Sequence, residues 1–226
     1  TITSSVSANV DAGFSIVSYT GAGGSNAGKT VGHGLSAKPD LIIVKIRIDN
    51  YTGRVYNSIS GATKYLDWAS SAALGTYQHM WNNTEPTSSV FSLGSDITVG
   101  GYPVRDFIAY CFHSVDGYSK VGSYTGNTTS SSVVDGTFVY TGFRPAFVMI
   151  KDTEQAVDWA IYDSTRLGYN VNNYKLEPSN TSAEQATTTH IQLNSNGFNF
   201  MTDNSNYSGR VYIYLAFAET PFKYSN

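Results

Sequence analysis

The feature that most constrains this chain is an internal repeat: its second half restates its first at a spacing of about 105 residues. Phe14-Ser-Ile-Val-Ser-Tyr-Thr-Gly21 returns as Tyr118-Ser-Lys-Val-Gly-Ser-Tyr-Thr-Gly126, one residue longer. Lys38-Pro-Asp-Leu-Ile-Ile-Val-Lys45 parallels Arg144-Pro-Ala-Phe-Val-Met-Ile-Lys151, and Val55-Tyr56-Asn57 parallels Ile161-Tyr162-Asp163. Arg105-Asp-Phe-Ile-Ala-Tyr-Cys-Phe112 closes the first copy as Arg210-Val-Tyr-Ile-Tyr-Leu-Ala-Phe217 closes the second. Solenoid repeats recur every ~20–50 residues, so a unit of this length is a domain. The expected division is residues 1–115 and 116–226, with a junction near Ser114 to Gly117.

Within each copy, short runs of β-branched and aromatic residues are bounded by Gly, Asn, Ser or Pro, the signature of strands. The 17 Tyr and 11 Phe suit pleated, half-buried surfaces, and the 21 Gly suit turns. Leu41 to Val44 and Phe147 to Ile150 lack alternation, which predicts central strands covered on both faces. Pro39 and Pro145 stand at their starts, where a missing N–H is tolerated. The runs 107–112 and 212–217 predict the second buried strand of each unit. Helical periodicity is thin, with room for a turn or two only from Asp67 to Leu74. The expected fold class is all-β: two tandem related β-sandwich, jelly-roll-like domains.

A net charge of −3 gives no basic field for a phosphate backbone, so nucleic acid is not an expected partner. No apolar stretch is long enough for a helical membrane span, and membrane insertion is not expected. The single cysteine, Cys111, lies in an apolar run and reads as a buried free thiol. The chain opens on Thr1, which points to a processed product or an excerpt.

Gly23-Gly-Ser-Asn-Ala-Gly-Lys-Thr30 fits the phosphate-loop pattern, but that motif needs a helix directly after it. Gly32, Gly34 and Pro39 follow instead, so a glycine-rich hairpin loop is expected and no cofactor is assigned. The histidines at 33, 79, 113 and 190 occur singly, without metal-ligand spacing. His33, in Gly-His-Gly, suits a tight loop. Asp203-Asn-Ser-Asn206 offers oxygen ligands but lacks the glycine and terminal glutamate of a calcium loop, and reads as an Asx-rich turn. Asp67, Glu85, Asp158 and Glu177 are candidate carboxylates for glycoside hydrolysis, though nothing singles them out from solvated loop acids.

Loop aromatics flanked by Asn and Asp form carbohydrate-binding or protein-contact surfaces. The candidate contacts with ligand or neighbouring subunits are Trp68, Trp81, Trp159, Tyr169, Tyr174 and Tyr207, with Tyr51, Tyr65 and Tyr77 in similar surroundings. For each tryptophan, core or inter-domain packing is the preferred reading.

The strings Trp81-Asn-Asn-Thr-Glu-Pro-Thr-Ser-Ser-Val-Phe-Ser-Leu-Gly94, Asp106 to Phe112, Gly117-Tyr-Ser-Lys120, Gly122-Ser-Tyr-Thr-Gly126 and Tyr140 to Lys151 carry a family resemblance. The chain resembles a domain of unknown function that recurs in tail-fibre-like and other virion proteins of marine and freshwater bacteriophages. The resemblance runs from about Phe14 to Tyr224 and is strongest over 140–151. It implies a non-enzymatic structural or adhesive role at the virion surface or tail appendage, with no catalytic residues to carry over. The implied partners are host surface glycan and other virion subunits in a homo-oligomer. Capsid decoration and polysaccharide depolymerisation are the alternatives.

Overall fold

The computed structural model describes the whole chain except residues 24–26, 130, 132–135, 167–169, 171–173, 187–189 and 221–226. Among the described residues the chain is all-β, with antiparallel sheets and a single helical turn. It divides into two compact units, Thr1–Ala69 with Leu74–Ser114, and Ser70–Ala73 with Val115–Asn226.

In the first unit, β1 (Ser4–Asn9), β2 (Phe14–Thr20), β4 (Leu41–Ile46), β5 (Arg54–Asn57), β6 (Lys64–Asp67), β7 (Gly75–Thr76) and β9 (Asp106–Phe112) form one sheet. Its order is β1-β2-β9-β4-β5-β6-β7. A second sheet pairs β3 (Lys29–Gly32) with β8 (Val90–Leu93). The apolar faces of both meet in one core, where Tyr19, Val44, Phe107 and Ala109 join Val31, Phe91 and Leu93. β4 is buried along nearly its whole length between β5 and β9, as its unbroken apolar run predicts. β9 instead alternates: Phe107, Ala109 and Cys111 are buried while Ile108, Tyr110 and Phe112 are half-covered, because only one face meets the second sheet.

The second unit holds β10 (Ser119–Thr125), β12 (Pro145–Asp152), β13 (Ala160–Asp163) and β16 (Val211–Ala218) in the order β10-β16-β12-β13. β11 (Phe138–Tyr140), β14 (Ile191–Asn194) and β15 (Gly197–Phe200) form a three-stranded sheet in the order β11-β15-β14. The core is aromatic: Tyr124 stacks on Tyr212 at 5.0 Å and on Phe200 at 5.1 Å, with Phe198 edge-on. Matching geometry recurs in the two units. Gly21 N–H donates to Arg105 O at 2.9 Å, and Gly126 N–H donates to Arg210 O at 2.9 Å.

Two local expectations change. The helical turn is α1 (Gln78–Trp81), not the segment from Asp67 to Leu74, where β6 ends at Asp67. Met80 and Trp81 insert into the core there, so burial rather than helical periodicity selects the site. Residues Ser70–Ala73 belong to the second unit, where the Lys151 ammonium donates to Ser71 O at 3.1 Å.

Candidate functional site at the Arg105 and Arg210 loop ends

The three tryptophans are drawn inward. Trp81 is 2% exposed, donates from Nε1 to Lys64 O at 3.0 Å and meets Tyr56 edge-on. Trp159 is 1% exposed, with its backbone N–H on Ser179 Oγ. Neither indole reaches the surface, so for these two the packing reading holds and the contact assignment is corrected, since burying an indole removes a large apolar area from water. Trp68 is half-buried against Gly53, where an added Cβ would come within 3.2 Å of it. Tyr174 is half-buried, and Tyr169 lies outside the described residues. Tyr65 packs on the core beneath the Arg54 guanidinium, and exposed Tyr77 sits against His79. Tyr51 and Tyr207 remain, and each is organised by an arginine.

In the first unit Arg105 precedes β9, and its side chain ties two loops together. It pairs with Asp49, donates to Pro103 O and lies over the Tyr51 ring at 5.7 Å. On these two loops Ile48 is 80% exposed, Tyr102 75% and Val104 58%, with Tyr51 at 43%. Scattered exposed apolar side chains are ordinary, and these four stand out because they lie on two loops that one guanidinium joins. Sequence reasoning singled out Tyr51 and passed over the other three. The signal was there as lone apolar residues inside otherwise polar turns between β4 and β5 and before β9.

Arg210, at the matching place in the second copy, lies over Tyr207 at 4.2 Å and pairs with Asp152 at 3.3 Å. Asp152 is buried and also accepts the N–H groups of Glu154 and Gln155, so it holds the loop and the guanidinium at once. Tyr207 N–H donates to Tyr212 Oη at 3.0 Å, and burial pushes the Tyr212 phenol up to about 12. A depression of about 200 Å³ opens here, walled by Val157, Tyr207 and Tyr212 and edged by Asp203, Asn204 and Arg210. An aromatic wall beside a carboxylate, an amide and a guanidinium suits a ring-shaped polar ligand better than an apolar one.

The remaining candidates serve the fold. Asn206 is fully buried and exchanges hydrogen bonds with Asn127, so its oxygen is committed and the 203–206 segment is a turn. Among the described residues no group of three or more His, Cys, Asp or Glu could hold a metal. Lys29 and Thr30 lie in β3 opposite Leu93 and Ser92, so a strand rather than a helix follows Gly28. Asp67 pairs with Arg54, and Glu85 accepts from Lys38, Tyr56 and Ala62 N–H. Asp158 accepts from Ser179, and Glu177 pairs with Lys175 and accepts from Asn180. His33 accepts the Leu35 N–H at Nδ1, which leaves Nε2 to donate to Thr87 O and fixes a neutral tautomer that burial favours. Burial pushes the Cys111 thiol up to about 12, so it stays protonated and unreactive.

One family model, described as Domain of unknown function (DUF7483), matches the chain over residues 1–221. No curated protein and no solved structure matches it.

Proposed function

We propose that this chain, which belongs to the DUF7483 family of domains of unknown function, is a non-enzymatic structural protein of a bacteriophage tail fibre or particle surface. In this reading it is two tandem related β-sandwich domains of jelly-roll type, and it binds host surface glycan or neighbouring virion subunits through its loop ends. The sequence resemblance supports the setting. The observation that carries the binding role is an arginine repeated just before the closing strand of each copy and set over a tyrosine, Arg105 over Tyr51 from the β4–β5 loop and Arg210 over Tyr207 from its own loop.

The two ends have diverged in chemistry. The depression beside Tyr207, with Asp203, Asn204 and Arg210, suits a sugar ring stacked on the phenol and hydrogen-bonded at its edge. The exposed Ile48, Tyr102 and Val104 side chains suit a protein surface, and they favour the second reading, a capsid decoration protein seated on the shell. A depolymerase gains little support, because each of the four candidate carboxylates holds a structural partner.

The test is a glycan array and host-cell binding assay with the wild type, Tyr207→Ala and Ile48→Ser. Adhesion through the second unit predicts at least a tenfold loss in Tyr207→Ala and none in Ile48→Ser. A blank array and bare cells at high micromolar protein would overturn the glycan reading. Electron microscopy of the particle then separates fibre from shell.

A further inference from the structure

Open sheet edges invite pairing with other chains, and proteins blunt them with short strands, charges or covering groups. Most edges in this chain are treated this way. β7 is two residues long. Lys120 on β10 donates to Tyr140 O at 3.0 Å and lies over that ring. Leu176 exchanges backbone bonds with Ile161 beside β13. The Asn170 side-chain amide caps β14 by donating to Leu193 O at 2.7 Å and accepting Leu193 N–H at 2.9 Å. Ile2 N–H covers β3 at Thr30 O.

β1 carries none of these devices. Its six residues, Ser-Ser-Val-Ser-Ala-Asn, hold no charge, proline or glycine. It pairs with β2 along its whole length on one side, and among the described residues it has no strand partner on the other. The strand is nonetheless firmly seated. Ser4 Oγ donates to Gly32 O, and Val6 leans so closely on Gly34 that a Cβ there would meet Val6 Cγ1 at 2.6 Å. Residues Ser5 to Asn9 are all exposed, and each face of the sheet leaves one apolar side chain open near this edge, Val6 (42%) on one and Ile16 of β2, opposite Ser7, (37%) on the other.

We propose that the outer edge of β1 pairs antiparallel with β1 of a second copy about a two-fold axis. A second copy is the occupant this edge fits, because an uncharged strand meets itself without like charges opposed. Opposed residues in an antiparallel pair share a face, which the register Val6 opposite Val6, Ser4 opposite Ala8 and Ser5 opposite Ser7 satisfies. In it Asp11 falls opposite Thr1, so no acid faces an acid. The valine pair and the small residues beside it allow close approach. The contact names the homo-oligomer surface of the virion-subunit reading, and it uses no residue of the loop ends, so either reading can fail alone.

The test is solution mass by light scattering at ~100 µM, which populates even a micromolar contact. The wild type is expected at twice the 24.5 kDa chain mass. Ser5→Lys/Ser7→Lys opposes like charges across the axis and is expected to be monomeric, as is Ser5→Glu/Ser7→Glu. Mixing the two proteins in equal amounts is expected to restore the dimer, a rescue that a folding defect would not give. Ser7→Glu alone, at one exposed position, is expected to weaken the dimer about tenfold with unchanged circular dichroism. A monomeric wild type, a dimeric doubly substituted protein, or a mixture that stays monomeric would overturn the proposal.

Discussion

Lys151 is a fully buried cation, and replacing it tests how the second unit is held. Its ammonium donates to the carbonyls of Ser71, Asp152 and Val157 at 3.1, 2.9 and 2.7 Å. Burial lowers its pKa from 10.5 to about 8, against the opposing pull of Asp152 and Asp158. Between these values the unfolded chain keeps a proton that the folded one has released, so the unfolding free energy rises with pH across that window. At 1.36 kcal/mol for each pH decade, the rise is roughly 3 kcal/mol. Lys151→Met keeps a similar volume without the charge, so this contribution disappears. At neutral pH the variant is relieved of the buried charge but leaves three carbonyls without a donor, at about 1–3 kcal/mol each, and the two effects partly offset. The clear signature is therefore the difference between the two proteins. The buried tyrosines and Cys111 titrate alike in both, so the stability gap should widen by roughly 3 kcal/mol in favour of the wild type from about pH 8 to 10.5. Urea unfolding across that range measures it, and a gap that stays constant with pH would refute the reasoning.

Burial, with the Lys175 charge adding and Glu177 opposing, lowers the His190 pKa from 6.5 to about 4. Stability should therefore fall by roughly 3 kcal/mol as pH drops from 6.5 to about 4. His190→Gln should flatten that part of the calorimetric pH profile, and an unaltered profile would count against it. Gly94→Ala would place a Cβ 1.9 Å from His79 O, a backbone atom that cannot step aside, and should cost at least about 2 kcal/mol in urea unfolding. An unchanged midpoint would show that the approach is looser. Arg210→Gln removes the ion pair to Asp152 and the cover over Tyr207, and should speed amide exchange across residues 203–207 while leaving β12 protected. Equal exchange in both proteins would deny the arginine its organising role.

The elements were legible where local pattern settles backbone conformation. Unbroken apolar runs mark β4 and β12 as buried strands, and the helix breakers after Gly28 keep the phosphate-loop pattern from being one. The interior position of Trp81 and Trp159 was less legible, since composition shows that an indole sits near loops but not which way it points. The grouping of exposed apolar side chains beside Arg105 was least legible. Ile48 and Asp49 lie more than fifty residues before Tyr102, Val104 and Arg105, and strand order brings β9 beside β4.

By itself, then, the sequence determined the β class, the repeated blocks and the central strands, because apolar periodicity and turn residues act over a few neighbours. Tertiary structure alone decided the rest: the joining of Ser70–Ala73 to the second unit through Lys151, the two arginine-organised loop ends, and the open edge of β1. Each depends on which strands become neighbours, a choice made by burying one shared core and written in no short stretch of chain.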